Sequence, residues 1–404
     1  MRRVAITGRG VVAPNGADVP SFQRALLQGQ GAIAPLEGLV PGAGAAVGAA
    51  VRGFDPAHHF AASDLPFLDR CTQFALVAAQ EAITESGLVF GEQLAPRCTV
   101  ILGTGAGAIG TMEDGYRAYF SEKRRRPHPL TVPRMMLNAP ASHLSMRYGI
   151  TGPAFVLASA CASSAFAIAM GFHMVRSGAA DVAVVGGSEA CLTEGGVRIW
   201  EAMRVLAPDT CRPFCRDRLG LVLGEGAAIL VLEALDHARQ RGAVVHGEVL
   251  GCSMNSDAHH IVNPCVPSQT AAILASLQES QLTPGDICYV NAHGTGTAVN
   301  DIAETKALRG AFGSSADSLK VSSSKSMHGH TLGAAGAIEA LATLVALNEK
   351  TAPPTINFTS PDPQCDLNYV PNDAQELSGS IGMSTSFAFG GHNAVLTLKA
   401  AHAV

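Results

Sequence analysis

The feature that most constrains this chain is a change from an extended to a helical pattern at Cys161. An apolar run ending at Leu157 is typical of a buried strand, whereas residues 162–175 are rich in helix formers. Gly178 ends the predicted helix, and residues 181–185 form a second apolar strand. Two strands joined by a buried helix indicate an α/β protein, with Cys161 at the turn where the helix begins.

The chemistry open to Cys161 depends on that turn. The N-terminal end of a helix carries roughly half a positive charge, which lowers the pKa of a nearby thiol from about 8.5 and favours the reactive thiolate. Backbone N–H groups at the same turn can stabilise a developing oxyanion. A free cysteine is also a common core residue, so this segment alone fits either a nucleophile or a small buried side chain.

Composition limits the classes of protein that this chain can represent. With 404 residues, 47% of them hydrophobic and 15% charged, the chain can build two cores with much buried surface. A net charge of -5 argues against nucleic-acid binding as the main task. No apolar run reaches the roughly 18 residues of a membrane span, and the chain enters its first strand directly rather than through a signal peptide.

Cysteine usage indicates a reducing compartment, the cytoplasm. The ten cysteines are scattered singly and show no disulfide framework. Cys211 and Cys215 form the one close pair, but no second pair follows and Pro213 lies between them, which argues against a metal site. Glycine-rich turns at Gly8 and Gly105 formally fit a dinucleotide fingerprint. The first does not open a helix and the second lacks a convincing acidic partner, so we discount nucleotide binding.

Strands and helices alternate through both halves of the chain. The second half begins near Val245 and repeats the outline of the first, so we predict an N-terminal unit of residues 1–244 and a C-terminal unit of residues 245–404. Such alternation implies parallel sheets that are covered on both faces. No low-complexity linker separates the units, which predicts that they pack tightly against each other.

Three glycine-rich motifs in the second half carry side chains that can do chemistry. His293 follows a strand in Asn-Ala-His-Gly-Thr-Gly-Thr, and Lys325 and His330 lie in Lys-Ser-Met-His-Gly-His before a helix of small residues. Phe387 and Phe389 precede a glycine turn and the final strand. A lone histidine is more often a core residue. Two of them on separate glycine-rich loops, together with a cysteine at a helix N-terminus, are typical of nucleophilic catalysis.

These motifs, in this order along nearly the whole chain, resemble those of the β-ketoacyl-acyl carrier protein synthases, the elongating condensing enzymes of the thiolase superfamily. The similarity is strongest to the second synthase class of type II fatty acid synthesis and its relatives in polyketide and polyene pathways. The resemblance implies a five-layered α-β-α-β-α fold built from two similar halves, with the active site between them. It also implies a homodimer, or a heterodimer with a related synthase-like subunit.

The resemblance implies a catalytic role for residues in each of these motifs. Cys161 would accept an acyl chain from a carrier-protein thioester. His293 and His330 would donate hydrogen bonds to the malonyl thioester carbonyl and stabilise the enolate that forms on decarboxylation. Lys325 would order this network with Glu304 as its partner. The enolate would then attack the acyl thioester, and neither a metal nor a nucleotide would be needed.

Other residues would recognise the substrates. By the same resemblance, the backbone N–H groups of Cys161 and Phe389 would form the oxyanion hole, and Phe389 would also gate the two half-reactions. Thr295 and Thr297 would bind the phosphopantetheine arm, and Phe387 would contact the substrate.

Specificity and docking are expected at two further places. Ala106 follows a strand, where related enzymes border the acyl pocket with a bulkier residue, so we expect room for long or rigid acyl chains. Arg124, Arg125 and Arg126 form the densest basic cluster and would dock an acidic carrier protein. The resemblance adds Arg204 to this docking surface.

Two departures from the family pattern indicate a specialised branch. His392 stands where threonine is more usual, and Ala388 stands where glycine is common. The chain keeps the catalytic cysteine that non-catalytic chain-length-determining subunits lack, which argues against that alternative. A degradative thiolase would need a second catalytic cysteine. Cys365 is the one candidate for it, and it lies outside any glycine-rich loop.

Overall fold

The computed structural model describes residues 1–40, 42–43, 46–122, 126 and 128–403. Within these ranges the strands are β1 Val4–Val12, β2 Ala34–Pro35, β3 Val47–Gly48, β4 Cys98–Gly103, β5 Ala154–Leu157, β6 Val182–Glu189, β7 Gly226–Ala234, β8 Gly247–Ser256, β9 Tyr289–Asn291, β10 Lys320–Ser322, β11 Thr351–Ala352, β12 Gln375–Glu376, β13 Ile381–Ala388 and β14 His392–Ala400.

The helices of the same ranges are α1 Val19–Leu27, α2 Arg70–Ser86, α3 Ile109–Tyr116, α4 Thr131–Met135, α5 Ala139–Tyr148, α6 Ser163–Ser177, α7 Glu194–Ala202, α8 Leu235–Gln240, α9 Val266–Ser280, α10 Ala298–Phe312, α11 Lys325–His328 and α12 Ala335–Asn348. None of the helices in the described part of the chain is long and apolar enough to cross a membrane.

The strand order repeats itself. Ten strands form one hydrogen-bonded array in the order β10-β9-β13-β14-β8-β1-β7-β6-β4-β5. Five of these strands, β1 and β4–β7, come from the first half of the chain, and the other five come from the second half. Outward from the β1–β8 contact, both halves place their strands in the same order, namely the first, fifth, fourth, second and third of that half along the chain. The two halves of the chain therefore share one topology.

Helices cover both faces of each half-sheet. α2 and α5 pack on the outer side of the first five strands, and α9 and α10 cover the outer side of the second five. α6 and α12 lie between the two sets and contact strands of both. These layers give the predicted α-β-α-β-α order, a thiolase-like architecture.

The pairing of the strands differs from the expectation of parallel sheets. β4 runs parallel to β5 and β6, and β9 runs parallel to β10 and β13. β1, β7, β8 and β14 instead make antiparallel pairs. Antiparallel strands need no crossover helix between them. β13 and β14, for example, form an antiparallel pair that is joined by the short turn Phe389–Gly391.

Small residues let the two central helices approach closely. A Cβ atom on Gly336 of α12 would lie 2.8 Å from both the Cβ and the backbone nitrogen of Ala165 in α6. The hydroxyl of Ser164 accepts a hydrogen bond from the backbone N–H of Ala337 at 2.9 Å. The start of the helix after Cys161 is thereby fixed against the helix that follows His330.

Candidate active site

The turn that carries Cys161 is sharp. Ala160 adopts φ = 49°, a left-handed conformation that is unusual for a residue with a Cβ atom. The hydroxyl of Ser163 accepts a hydrogen bond from the N–H of Ser159 at 2.9 Å and donates one to the carbonyl oxygen of Ala160 at 2.6 Å. These contacts close the turn, and α6 begins at Ser163, as the sequence pattern predicts to within one residue.

A cavity opens at this turn and joins residues from both halves of the chain. It encloses about 800 Å³ of space, part of it open to solvent. Its wall includes predicted site residues, namely Cys161, His293, Thr295, Thr297, His330, Phe387 and Phe389. The structure therefore brings together the cysteine of the first half and the two histidines of the second.

The two histidines face each other inside this cavity. The ring centroids of His293 and His330 lie 5.4 Å apart with an interplanar angle of 85°. Both residues are almost completely buried. Burial, and then the charge of Lys325, lower the pKa of both rings well below the ordinary value of 6.5. Both rings are therefore neutral at physiological pH, and each can donate through one nitrogen only.

Lys325 determines which nitrogen of His293 carries the proton. The Nζ atom lies 3.4 Å from Nδ1 of His293 and donates to the backbone carbonyl oxygen of the same residue at 2.6 Å. An ammonium group beside Nδ1 makes that nitrogen the acceptor, so Nε2 carries the proton. For His330, Nδ1 has no hydrogen-bond partner among the described residues.

The ion-pair partner of Lys325 differs from the expected one. Its ammonium group contacts the carboxylate of Glu339 in α12, and both side chains are fully buried. Glu304, the expected partner, instead accepts hydrogen bonds from the N–H groups of His293 at 2.8 Å and Gly294 at 2.7 Å. Glu304 thus supports the loop that carries His293, whereas Glu339 neutralises the lysine.

Glu339 is a site residue that the sequence analysis missed. It is the one charged residue within α12, whose other members are apolar or small apart from Thr343 and Asn348. A carboxylate in a helix that is otherwise buried needs a cation, because an unpaired charge in the interior is costly. This isolated acid was the signal that could have identified the partner of Lys325. Burial raises the pKa of Glu339 to about 7, against the opposing effect of Lys325.

The ionisation of Cys161 differs from the expectation based on its helix. Cys161 is buried, with 7% of the residue exposed. Burial raises its pKa to about 12, Lys325 opposes this shift, and Glu189 adds to it. Removal from water therefore outweighs the favourable position at the N-terminus of α6, and the resting group is a neutral thiol.

Phe389 is held by an aromatic side chain that the sequence analysis did not single out. Its ring stacks on that of Trp200, with centroids 6.2 Å apart and an interplanar angle of 20°. Both rings line the cavity. Phe387 makes an edge contact with His293, at 6.5 Å between centroids. Trp200 is the single tryptophan of the chain, and it lies at the end of α7, where no local motif marked it.

Thr295 and Thr297 lie side by side at the wall of the cavity. Their hydroxyl oxygens are 2.9 Å apart. Asp301 fixes the loop that carries both threonines, because its carboxylate accepts hydrogen bonds from the N–H of Gly296 at 3.2 Å and from that of Phe214 at 2.7 Å. The loop therefore presents two hydroxyl groups on a rigid base.

Ala106 does not line this cavity. Its loop lies near the Cys161 turn, since a Cβ atom on Gly105 would be 3.8 Å from the carbonyl oxygen of Ala160, and it is held by the buried carboxylate of Glu189. That carboxylate accepts from the N–H groups of Gly105 at 2.7 Å, Ala106 at 3.0 Å and Gly333 at 2.9 Å. Glu189 thus ties the Ala106 loop to the segment that follows His330.

The expected docking residues are only partly described. Arg124 and Arg125 lie outside the described residues. Arg126 and Arg204 are exposed, and neither lines the cavity.

Family models match both halves of the chain. One described as Beta-ketoacyl synthase, N-terminal domain, matches residues 1–238, and one described as Beta-ketoacyl synthase, C-terminal domain, matches residues 246–359.

Curated proteins align along almost the whole chain. Nodulation protein E from Rhizobium sp. (strain N33) is 43% identical over 399 residues, which are 98% of this chain and 99% of that protein. The 3-oxoacyl-[acyl-carrier-protein] synthase 2 of Synechocystis sp. is 37% identical over 407 residues, covering 98% of each.

Solved structures superpose along the same length. One titled as the ishigamide ketosynthase/chain length factor has a TM-score of 0.93 at 32% identity and covers 99% of both chains. Another, titled as a type II PKS acyl-carrier protein in complex with its ketosynthase bound to the hexaketide, has a TM-score of 0.89 at 29% identity, with 99% of both chains covered.

Proposed function

The chain belongs to the β-ketoacyl synthase family, and from this premise we propose that its chemistry runs through Cys161, His293 and His330. The protein is a β-ketoacyl-acyl carrier protein synthase, an acyltransferase that forms a carbon–carbon bond by decarboxylative Claisen condensation. The observation that supports the residue assignment is the shared cavity of one cysteine and two neutral histidines.

The first half-reaction is acyl transfer to Cys161. The sulfur attacks the thioester carbonyl of the acyl-carrier protein, and the backbone N–H groups of Cys161 and Phe389 receive the negative charge on the oxygen. The carrier thiolate leaves, and the proton lost by Cys161 ends on the phosphopantetheine sulfur. One thioester is exchanged for another, so no external energy source is required.

The second half-reaction begins with decarboxylation of the malonyl group. His293 and His330 each donate a hydrogen bond from Nε2 to the thioester oxygen, where charge develops as carbon dioxide leaves. Neutral rings suit this task, because an Nε2–H donor persists over a wide pH range when the pKa is low. Lys325 secures this tautomer at His293.

Condensation follows within the same cavity. The enolate carbon attacks the carbonyl carbon of acyl-Cys161, and the tetrahedral intermediate collapses by expelling the Cys161 thiolate. The product is a β-ketoacyl chain on the carrier protein, two carbons longer than before. A proton from solvent restores the thiol, whose raised pKa favours the protonated form.

We propose the acyl carrier protein as the partner in both half-reactions. Its phosphopantetheine arm would bind Thr295 and Thr297, whose hydroxyl groups reach the cavity wall, and its acidic surface would meet Arg124, Arg125, Arg126 and Arg204. The steps above require no resident metal or nucleotide. All ten cysteines belong to the described part of the chain and none is paired there, which supports a reducing compartment, the cytoplasm.

We also propose that the chain works as a dimer, with itself or with a related synthase-like subunit. Solved relatives titled as ketosynthase with chain length factor support this. So do the edge position of β5 in the sheet and the exposed apolar side chains between residues 116 and 146.

A specialised pathway is more consistent with the chain than housekeeping fatty acid synthesis. Identity to Nodulation protein E, at 43%, exceeds that to the Synechocystis synthase 2, at 37%. The unusual His392 packs edge to face on Phe166, with centroids 6.1 Å apart, just after the Phe389 turn. We therefore propose a polyketide or polyene branch.

Intact-protein mass spectrometry tests the nucleophile. Incubation with acyl-carrier protein should add one acyl mass to the wild type and to Cys365→Ala, and none to Cys161→Ala. Cys365→Ala is the matched control, because Cys365 is the second cysteine that a thiolase mechanism would need. Equal acylation of Cys161→Ala and the wild type would refute the assignment.

A further inference from the structure

A second cluster of reactive side chains lies at the far end of α6. His173 is in the penultimate turn of this helix, Cys252 is on β8, and Glu279 is near the end of α9. Ten residues separate Ser163 from His173, which is about 15 Å along a helix axis. The cluster is therefore separate from the Cys161 cavity, and the proposed synthase mechanism makes no use of it.

The three side chains lie close together, with Cys252 and Glu279 nearest to different nitrogens of the His173 ring. The sulfur of Cys252 lies 3.4 Å from Nε2 of His173, and Nδ1 of the same ring lies 3.7 Å from Oε1 of Glu279. One ligand atom of each residue lies within 4.8 Å of the other two. Tetrahedral zinc holds sulfur, nitrogen and oxygen ligands about 3.3–3.8 Å apart, given its usual bond lengths.

We propose that His173, Cys252 and Glu279 form a binding site for a zinc ion. One thiolate, one imidazole and one carboxylate are a donor set that suits zinc better than calcium or magnesium, which prefer oxygen ligands alone. Three protein ligands leave the fourth position for water. Zinc would tie α6 of the first half to β8 and α9 of the second.

The surroundings of the cluster orient its ligands and also contain one positive charge. The carboxylate of Glu279 accepts a hydrogen bond from the backbone N–H of Cys252 at 3.1 Å, which directs it toward the sulfur. Arg176 lies 3.3 Å from the other carboxylate oxygen, so zinc would bind beside a positive charge that already pairs with Glu279. Burial, and then Glu279, raise the pKa of the Cys252 thiol well above 9.0, and zinc would replace that proton.

The site also has a path to solvent. The side chain of His173 is 41% exposed and that of Glu279 is 26% exposed, whereas Cys252 lies beneath them. His173 and Glu279 form part of the wall of a shallow surface depression, together with Met1, Met174, Arg176 and Ser177. An ion can therefore enter from the surface and reach the buried sulfur last.

Cobalt substitution tests the site directly. The reduced full-length protein, freed of metal with a chelator, is titrated with Co²⁺. We expect one strongly bound cobalt per chain with a thiolate-to-cobalt charge-transfer absorption in the near ultraviolet, displaced by one equivalent of Zn²⁺. Zinc should also raise the thermal unfolding midpoint of the wild type.

Two variants and one control make the test decisive. Cys252→Ser should lose the charge-transfer absorption and the zinc-dependent rise in midpoint, while Cys265→Ser should keep both. Cys265 is the control because, unlike the buried Cys252, it is partly accessible and lies near exposed histidines, where metal could bind nonspecifically. If Cys252→Ser does not fold, His173→Ala is tested instead, because its half-exposed position tolerates the change. We expect this variant to bind Co²⁺ at least about tenfold more weakly than the wild type. The absence of the absorption in the wild type, or its persistence in both cluster variants, would overturn the proposal.

Discussion

The reactivity of Cys161 depends on how much of its thiol is ionised before the acyl donor arrives. Two effects oppose each other there, the positive end of α6 and removal from water, and burial prevails in raising the pKa to about 12. A substrate that enters the cavity then meets a thiol that is activated during the reaction rather than a preformed thiolate.

The pH dependence of alkylation tests this balance. Because only the thiolate reacts, the rate of Cys161 alkylation by iodoacetamide should rise about tenfold per pH unit from about pH 7 to about pH 10, without a plateau. Labelling is followed by peptide mass spectrometry, with Cys161→Ala as the blank. A plateau near neutral pH would show that the helix N-terminus dominates, as the sequence pattern alone predicts.

The histidines should be needed for decarboxylation and not for acyl transfer. His330→Ala should accept an acyl group on Cys161 as the wild type does, yet decarboxylate malonyl-carrier protein at least about a hundredfold more slowly, the usual effect of losing one oxyanion donor. Carbon dioxide release from malonyl-carrier protein measures the step. A variant that decarboxylates at the wild-type rate would remove His330 from the mechanism.

Among single residues, the sequence predicts those that would contact the substrates better than those that hold these contact residues in place. Cys161, His293 and His330 each stand in a local motif and meet at one cavity. The link between Lys325 and Glu339 depends on two helices packing together, so its 14-residue separation carries no local pattern. Trp200 escaped notice for the same reason, because its stacking on Phe389 is a tertiary contact.

The apolar pattern of the sequence predicts helices better than it predicts the direction of strands. The predicted helix after Cys161 is present as α6 and stops before Gly178, which takes the left-handed conformation expected of a helix-ending glycine. Strand direction was not predictable, because alternating segments specify neither the partner of a strand nor its orientation. β6 also extends beyond the predicted strand of residues 181–185, through Gly186 and Gly187 to Glu189.

The loop after β4 is the element on which acyl-chain length should depend. Glu189 holds three of its N–H groups, so the loop is fixed in place. Ala106 lies outside the Cys161 cavity of the single chain, and its contact with a long acyl chain is expected from the family resemblance. Ala106→Ile should suppress reaction with long acyl chains and spare short ones, at about 0.8 kcal/mol for each methylene excluded. Ala106→Ser is the matched control of nearly unchanged size.

Chain-length profiles of acylation and condensation measure this effect. Both variants are compared with the wild type at equal thermal stability, so that a folding defect is not mistaken for selectivity. Profiles of Ala106→Ile that superimpose on those of the wild type would mean that Ala106 does not contact the acyl chain.

The whole molecule combines two halves of one topology, and the active site forms where they meet. The repeat was visible in the sequence as two rounds of alternating strands and helices, and each half carries part of the catalytic set. Their division at residue 244 stays a prediction. β1 and β8 pair across the halves, so hydrogen bonding alone does not separate them.

Carrier docking is a property of the outer surface of the whole molecule. Reversing the charge of Arg124, Arg125, Arg126 and Arg204 should raise KM for carrier-bound substrates and weaken its salt dependence, because acidic partners are steered by such patches. KM for a short pantetheine thioester should not change. Arg239→Glu, an exposed charge reversal on α8, is the control. Unaltered KM and salt response in the quadruple variant would assign these arginines to ordinary solvated surface.

The central claim is that this protein forms a carbon–carbon bond as the malonyl group loses its carboxyl group as carbon dioxide, with the acceptor acyl chain bound to Cys161 as a thioester. The most direct measurement incubates the enzyme with acyl-carrier protein and malonyl-carrier protein. It compares the amount of carbon dioxide released with the amount of β-ketoacyl-carrier protein formed, which is determined from the mass of the carrier protein. The account predicts one carbon dioxide for each β-ketoacyl chain formed, a chain two carbons longer than the acceptor, and neither product with Cys161→Ala. Acyl exchange or hydrolysis without chain extension, or extension that persists in Cys161→Ala, would contradict it.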